Sequence, residues 1–514
     1  MTVLDAIVVT FGAIAVGAAT IRWSRVAQRE HYLAGSVTRF AWRWWTRGAF
    51  DASVATIAIF ALVASAFASW TGFLAAAIVT FGPVRLGLRG RTAPLRWTRR
   101  LGTVVGIEGV LVGAAVGASG ASVGLGGAST AAVACAVGVP ILVDLALVLD
   151  RPIEAVIARR YVRMARTRLE SVGPVVVGIT GSYGKTSTKR YLEHLLSGSK
   201  RVVASPRSFN NQAGLARAVN ETLTDGTEVF IAEMGTYGPG EIAGMGRWVR
   251  PKVAAITAVG PVHLERFRAL DRTIAAKREI FATADIAVLN IDDEQLAALS
   301  EELRASGKRI IACSTTSRAS DVSLFVSKQD VEMICSGRSI GRVGVEASKP
   351  VAWANVACAL GLALAIGVDP QVLAERLRSL PVVEHRLTVS VSNSGVVVID
   401  DTYNSNPAGA RLALRALTEN SEAGRRVVVT PGMVELGPLQ KEANREFASD
   451  AVRAGAELVV VGWTNRRALL DGAGSDGASR VSVATREEAV AWVRSHLGAG
   501  DAVLYENDLP DHYP

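Results

Sequence analysis

The sequence predicts an α/β protein with a helical membrane region ahead of it: a P-loop, parallel-sheet central domain, then a smaller α/β C-terminal domain. Three observations carry this reading. Apolar residues crowd the chain before about residue 150. Residues 175–189, VVVGITGSYGKTSTK, read as a buried strand, a glycine turn and the opening of a helix. Beyond them, short β-branched runs alternate with helical periodicity, the pattern of repeated βα units. The expected boundaries are 1–150 for the membrane region, 151–172 for a basic linker, 173–386 for the central domain and 387–514 for the C-terminal domain.

Composition supports a chain of two characters. The 514 residues have room for about three domains at ~150 residues each. Apolar residues make up 49% and charged ones only 20%, too oily for a wholly soluble enzyme, so the bulk values average a membrane part and a soluble part. The formal charge of +9 is also uneven, with arginines gathered between the apolar runs. The soluble half has no basic patch interleaved with stacking aromatics, which argues against a nucleic-acid partner. Cys135, Cys313, Cys335 and Cys358 form no C-x-x-C pair and read as inert thiols in a reducing cytosol. The first apolar run lacks the basic flank and cleavage site of a secretory signal.

Residues 6–21 are apolar and are followed by Arg22, Arg25 and Arg29. Residues 53–84 are nearly uncharged and interrupted at Trp70-Thr71-Gly72; residues 101–149 are apolar and interrupted by small residues at 117–127. Since one span takes ~20 residues, the second and third blocks each have room for a hairpin. Arginine-rich stretches at 22–48, 85–100 and 151–168 belong in the cytoplasm by the positive-inside rule. The expectation is about five spans in the cell membrane, the N-terminus outside and the soluble domains cytoplasmic. Glu108 and Asp144 fall within these spans, where an acid is a functional candidate or a helix-packing group near a span end. Arg39, Arg43 and Arg47, beside Trp42, Trp44 and Trp45, suggest an interfacial helix.

The loop carries the chemistry. Its spacing, G-x-T-G-x-x-G-K-T-S, departs from the usual phosphate loop, because the first glycine is Gly178 and position 179 is Ile. Gly181 and Gly184 allow the backbone to curl so that successive N–H groups face a phosphate. Lys185 has the reach for terminal phosphates, and the Thr186 hydroxyl suits Mg²⁺. Strands are expected at 229–235, 252–260, 286–293 and 307–314, with a helix over 271–284. A parallel sheet brings ligands to the C-terminal ends of its strands. There Glu233 ends one strand, and His263 follows another. Further strands are expected in 396–407, 425–437, 457–463 and 501–507.

The ordered set TGSYGKTS, SFNNQAG (208–214), AEMG (232–235), HLERF (263–267) and AAKREIF (275–281) resembles the ATP-dependent muramyl ligases, above all the branch that adds D-alanyl-D-alanine. The likeness extends over roughly residues 175–440. It implies an ATP site at Thr180, Gly181, Ser182, Gly184, Lys185, Thr186, Ser187, Asn355, Arg386 and Asp401. It implies two Mg²⁺ ions, one on Thr186 and Glu233, the other helped by His263 and a carbamylated Lys277. Lys185, Lys277, His263 and Glu233 then form the catalytic set, and Asn210, Asn211, Asn404 and Asn406 are expected in the substrate cleft, although an Asn-Pro turn is an equal reading of Asn406. The resemblance implies amide formation through an acyl phosphate, from an amine donor and a carboxylate acceptor, in cell-envelope synthesis.

Three departures accompany it. The family's His-Asn pair ahead of Asn355 is replaced by Val351-Ala352. A basic segment after the last strand is replaced by Glu506-Asn507-Asp508-Leu509-Pro510, less suited to a carboxylate-bearing amine. The UDP-sugar domain gives way to the apolar region, which points to a lipid-linked acceptor or one made at the membrane. A poly-γ-glutamate-type synthetase and a non-catalytic nucleotide-binding scaffold are the alternatives.

Overall fold

The structure is a computed structural model that describes residues 3–83, 86–88, 94–206, 209–261, 267–327, 329–344, 351–381, 387–402, 405–421, 424–474, 480–509 and 512–513. It divides into two compact units, Met1–Ile157 with Leu509–Pro514, and Ala158–Asp508.

The first unit is helical: α1 (Val3–Arg29), α2 (Ser36–Trp45), α3 (Ala49–Ser65), α4 (Gly72–Phe81), α5 (Arg99–Val123) and α6 (Leu125–Val172), the last running on into the second unit. Among the described residues α1, α5 and α6 are long and apolar enough to cross a membrane, and a fourth span results if α2 and α3, bent by 112°, count as one. This corrects the expected count of five. The 101–149 block does form two helices, broken at Gly124 with φ +79°. The 53–84 block instead contains α3 and α4, 17 and 10 residues long. At 1.5 Å per residue they reach only ~25 and ~15 Å, short of the ~30 Å hydrocarbon core.

Several buried polar groups of this unit find partners on neighbouring segments. Thr20 donates to Glu108 at 2.8 Å. Arg22, 3% exposed, donates to the carbonyls of Val79, Thr80 and Leu86. Asp144 accepts from the Thr38 N–H at 2.8 Å and the Val37 N–H at 3.3 Å, capping the first turn of α2. Glu108 and Asp144 therefore each join two helices together. Arg43 and Arg47 lie over Phe40 and Trp44, and Arg47 also pairs with Asp51.

The second unit holds two sheets. The larger has the order β2-β3-β1-β4-β5-β6-β7-β8-β9. Its strands are β1 (Val175–Thr180), β2 (Val202–Ala204), β3 (Val229–Glu233), β4 (Val253–Ile256), β5 (Ile286–Asn290), β6 (Arg309–Ser314), β7 (Val322–Val326), β8 (Asp330–Cys335) and β9 (Arg338–Gly344). It is parallel as far as β7, and β7, β8 and β9 pair antiparallel. β1 is apolar on both faces because helices cover both. Val177 and Ile179 pack with Leu192 and Leu195 of α7 (Lys185–Leu196) and with the helix Trp353–Ala365; Val176 packs with Leu215 of α8 (Gln212–Thr222) and Leu296. Cys313 and Cys358 belong to the first of these cores as free thiols.

The smaller sheet has the order β10-β11-β15-β12-β13-β14. It comprises β10 (Thr388–Val391), β11 (Val397–Asp401), β12 (Arg426–Thr430), β13 (Ala456–Val461), β14 (Arg480–Val483) and β15 (Ala502–Glu506). Only the β10–β11 pairing is antiparallel. In the larger sheet, the register sets Ile179 beside both Glu233 and Ala255, so the loop leaving β1 passes between the ends of β3 and β4.

Candidate active site

The loop after β1 is shaped by close approaches that exclude side chains. A Cβ on Gly181 would lie 2.1 Å from Thr257 Oγ1, and one on Gly184 would lie 2.1 Å from Asn355 Oδ1. Gly184 also has φ +79° and stands immediately before α7, where the left-handed conformation costs glycine least. The Ser182 N–H donates to Ala258 O at 2.7 Å, and its hydroxyl accepts from the Gly260 N–H at 3.1 Å, which pins the turn to the chain leaving β4. Thr180 is fully buried, and its hydroxyl has no hydrogen-bond partner among the described residues. Lys185 folds back, its Nζ donating to Gly181 O at 2.7 Å. Ser187 is buried within the first turn of α7, which starts at Lys185.

Glu233, 1% exposed, is the centre of the polar constellation. Thr186 Oγ1 lies 3.2 and 3.3 Å from its two oxygens. Asn210 Nδ2 donates to Oε1 at 3.2 Å, and Lys189 Nζ approaches Oε2 at 2.9 Å. Lys189 is 2% exposed and also donates to Ser205 O at 2.9 Å. Sequence reasoning missed Lys189. The signal was its spacing: it lies three positions after Thr186 and so shares that residue's helix face.

Lys277, 3% exposed, lies on the helix Leu270–Arg278. Burial first and the Lys185 charge second hold its amine well below the usual lysine range. Asn355 faces Gly184. Asp401 ends β11 and accepts from the Leu387 N–H at 3.1 Å. The expected substrate residues divide. Asn210 turns to Glu233, whereas Asn211 and Asn406 cap helices by accepting from the N–H groups of Gly214 and Gly409. His263, Arg386 and Asn404 lie outside the described residues.

These groups suit a nucleotide with a hard divalent ion. Two glycine positions form a cradle that a Cβ would fill, ahead of a helix N-terminus that favours anions. A hydroxyl and a carboxylate stand within 3.3 Å of each other, oxygen donors of the kind Mg²⁺ accepts alongside substrate phosphates. A glycine-rich loop on a parallel sheet, followed by a second α/β sheet, defines the class as a nucleotide-binding protein with two α/β domains.

Comparison with known proteins specifies it. Residues 179–361 match the Mur ligase middle domain and residues 385–505 match the Mur ligase glutamate ligase domain. The chain is 30% identical over 382 residues to the UDP-N-acetylmuramoyl-tripeptide–D-alanyl-D-alanine ligase of Mycobacterium leprae, covering 67% of this chain and 73% of that protein. It is 33% identical over 364 residues to the Mycobacterium tuberculosis enzyme of the same name, covering 66% and 71%. Among solved structures, MurF ligase from Thermotoga maritima in complex with ADP superposes with a TM-score of 0.59 at 25% identity, over 68% of this chain and 80% of that one. This chain belongs to the Mur ligase family. It is an ATP-dependent carboxylate–amine ligase that resembles the D-alanyl-D-alanine-adding branch, and Mg²⁺ is the divalent ion of such ligases.

Proposed function

We propose that this protein is a membrane-held amide ligase of peptidoglycan assembly, adding an amine-bearing residue or dipeptide to an acceptor that is lipid-linked or made at the membrane surface. The observation that carries this reading is the arrangement of the chain. Both Mur ligase domains follow a region whose three long apolar helices have the length of membrane spans. If α1, α5 and α6 cross and the short α3–α4 pair re-enters without crossing, the basic stretches 22–48, 85–100 and 151–168 share one side, as the positive-inside rule asks. The ligase domains then work at the cytoplasmic face. Residues 1–150, 151–172, 173–386 and 387–514 serve as membrane region, linker, ATP-binding domain and C-terminal domain.

In this reading Lys185 leaves Gly181 O and meets the terminal phosphates, while the loop N–H groups hold the rest of the triphosphate. The acceptor carboxylate takes the γ-phosphoryl group and ADP leaves; the amine then displaces phosphate and the amide forms. Thr186 and Glu233 would hold Mg²⁺, which would supply charge neutralisation at the transferred phosphoryl group. Asn355, Arg386 and Asp401 bind the nucleotide, and His263 serves a second ion. The expectation of a carbamate on Lys277 is corrected: it belongs to other branches of the Mur ligases than the D-alanyl-D-alanine-adding one, so Lys277 acts through its buried amine.

The test is ADP release by the full chain in lipid nanodiscs, with D-alanyl-D-alanine and either a UDP-muramyl tripeptide or membrane lipid extract as the acceptor source. The expected result is Mg²⁺-dependent turnover that is faster with the extract and falls by ~10²-fold or more in Thr186→Val and Glu233→Gln. Equal turnover with the UDP-linked acceptor would discard the lipid-linked part of the reading.

A further inference from the structure

The buried ion pair at Glu233 has a consequence beyond the ligand set. On α7, Thr186 and Lys189 present one face to the end of β3, and Glu233 meets both. Lys189 is fixed from two sides, by the Ser205 carbonyl at 2.9 Å and by Glu233 Oε2 at 2.9 Å, with 2% of its surface exposed. Asn210 and Ser205 hold the rest of the group, the first on Oε1 and the second through its hydroxyl, which accepts from the Glu233 N–H at 3.2 Å. The carboxylate that the ligase reading gives to a divalent ion is therefore already paired with a fixed cation inside the protein.

We propose that Lys189 is a built-in counter-cation that keeps the Thr186–Glu233 site poor in divalent metal until a polyphosphate arrives, so that the ion enters with the nucleotide. The proposal rests on the reading of Thr186 and Glu233 as the metal-binding pair. Its physical basis is electrostatic. A divalent ion at Glu233 shares the carboxylate with a lysine ammonium, and two like charges at such range repel strongly in a buried site, where screening is weak. Phosphate oxygens add the negative charge that the protein alone does not provide. A purely structural ion pair would behave in the opposite way, since removing the lysine would disorder the carboxylate and weaken metal binding.

The experiment measures Mn²⁺ binding to the nucleotide-free full chain in detergent, by electron paramagnetic resonance of the free ion. Lys189→Gln keeps a donor toward Ser205 O and Glu233 but removes the charge. It should bind Mn²⁺ at least tenfold more tightly than wild type, about 1.4 kcal/mol. Lys189→Arg, which keeps the charge, should match wild type, and adding Glu233→Gln to Lys189→Gln should abolish the gain. Lys189→Met reads the same quantity if the glutamine variant does not fold, and Mn²⁺ alone should raise the thermal midpoint of either neutral variant but not of wild type. Unchanged or weaker Mn²⁺ binding in folded Lys189→Gln or Lys189→Met overturns the proposal. Full Mg²⁺-dependent ADP release by Glu233→Gln overturns the metal-site reading beneath it, which separates the two failures.

Discussion

Glu30 and His512 are 482 positions apart, yet His512 Nε2 lies 3.0 Å from a Glu30 carboxylate oxygen with both side chains buried. Trp44 Nε1 donates to the His512 carbonyl at 2.9 Å, and Phe40 packs on His512 and Tyr513 at ring separations of 4.9 and 5.0 Å. His512 and Tyr513 thus pack into the core of the helical unit. His512→Ala should destabilise the helical unit by ~1–3 kcal/mol, the range for loss of a buried polar partner. His512→Gln, which keeps a donor, should recover most of this. Thermal unfolding of the detergent-solubilised chain and protease cleavage near residues 509–513 provide the check. An unchanged midpoint with no new cleavage would show that the pair contributes nothing.

Gly184 is a loop position with no room for a side chain. A side chain there meets Asn355 Oδ1 at 2.1 Å and must also adopt φ +79°. Gly184→Ala should cost ~1–2 kcal/mol in backbone strain alone, with ATP turnover down by ~10²-fold as Asn355 and the first turn of α7 are pushed apart. Asn355→Ala in the same chain relieves the clash but not the φ strain, so it should restore some stability and little activity. Calorimetry and ADP release measure the two effects separately.

The contrast between Gly184 and Lys189 shows what was legible in the sequence. The glycines, Lys185 and Thr186 announce themselves because a strand, a turn and a helix start are set by neighbours in sequence. The partner of Lys189 depends on the register of β1 against β3, which places Glu233 beside the loop and which local pattern does not encode. Asn211 and Asn406 illustrate the same limit. The family order suggests a substrate cleft, but an asparagine ahead of a helix is also a cap, and only coordinates distinguish the two. The span count failed for a related reason. An apolar run has the same composition whether it faces lipid or packs on other helices. The carbonyls of Val79, Thr80 and Leu86 gathered on Arg22 show the second block packed against α1.

Lys277 offers a test of its chemical state. Its amine is buried, with its proton affinity depressed by burial and by Lys185. Lys277→Ala removes an amine from the site, not an anion, because the carbamate belongs to other branches of the family. Activity should fall by ~10²-fold or more and stay low in millimolar formate or acetate. Recovery of the variant in either salt would show that the lysine serves as an anion instead.

Glu506 makes the stability of the second sheet depend on pH in a direction opposite to the usual carboxylate. It ends β15 with no exposed surface, accepts from the Ser405 and Thr430 hydroxyls, and has Asp401 nearby. Burial, aided by the Asp401 charge and opposed by the Thr430 hydrogen bond, pushes its pKa from 4.5 up to about 8. The folded state therefore holds a proton that the unfolded chain releases above pH 4.5. The stabilisation is complete below that pH and is lost as pH rises toward 8, at a slope of up to ~1.4 kcal/mol per pH unit. Glu506→Gln keeps a neutral group of the same shape and has no proton to lose. Chemical denaturation at pH 6 and pH 8 should show wild type losing stability over that interval, with the variant flatter by close to the full slope. Equal pH dependence in the two proteins would mean that Glu506 is ionised in the folded state.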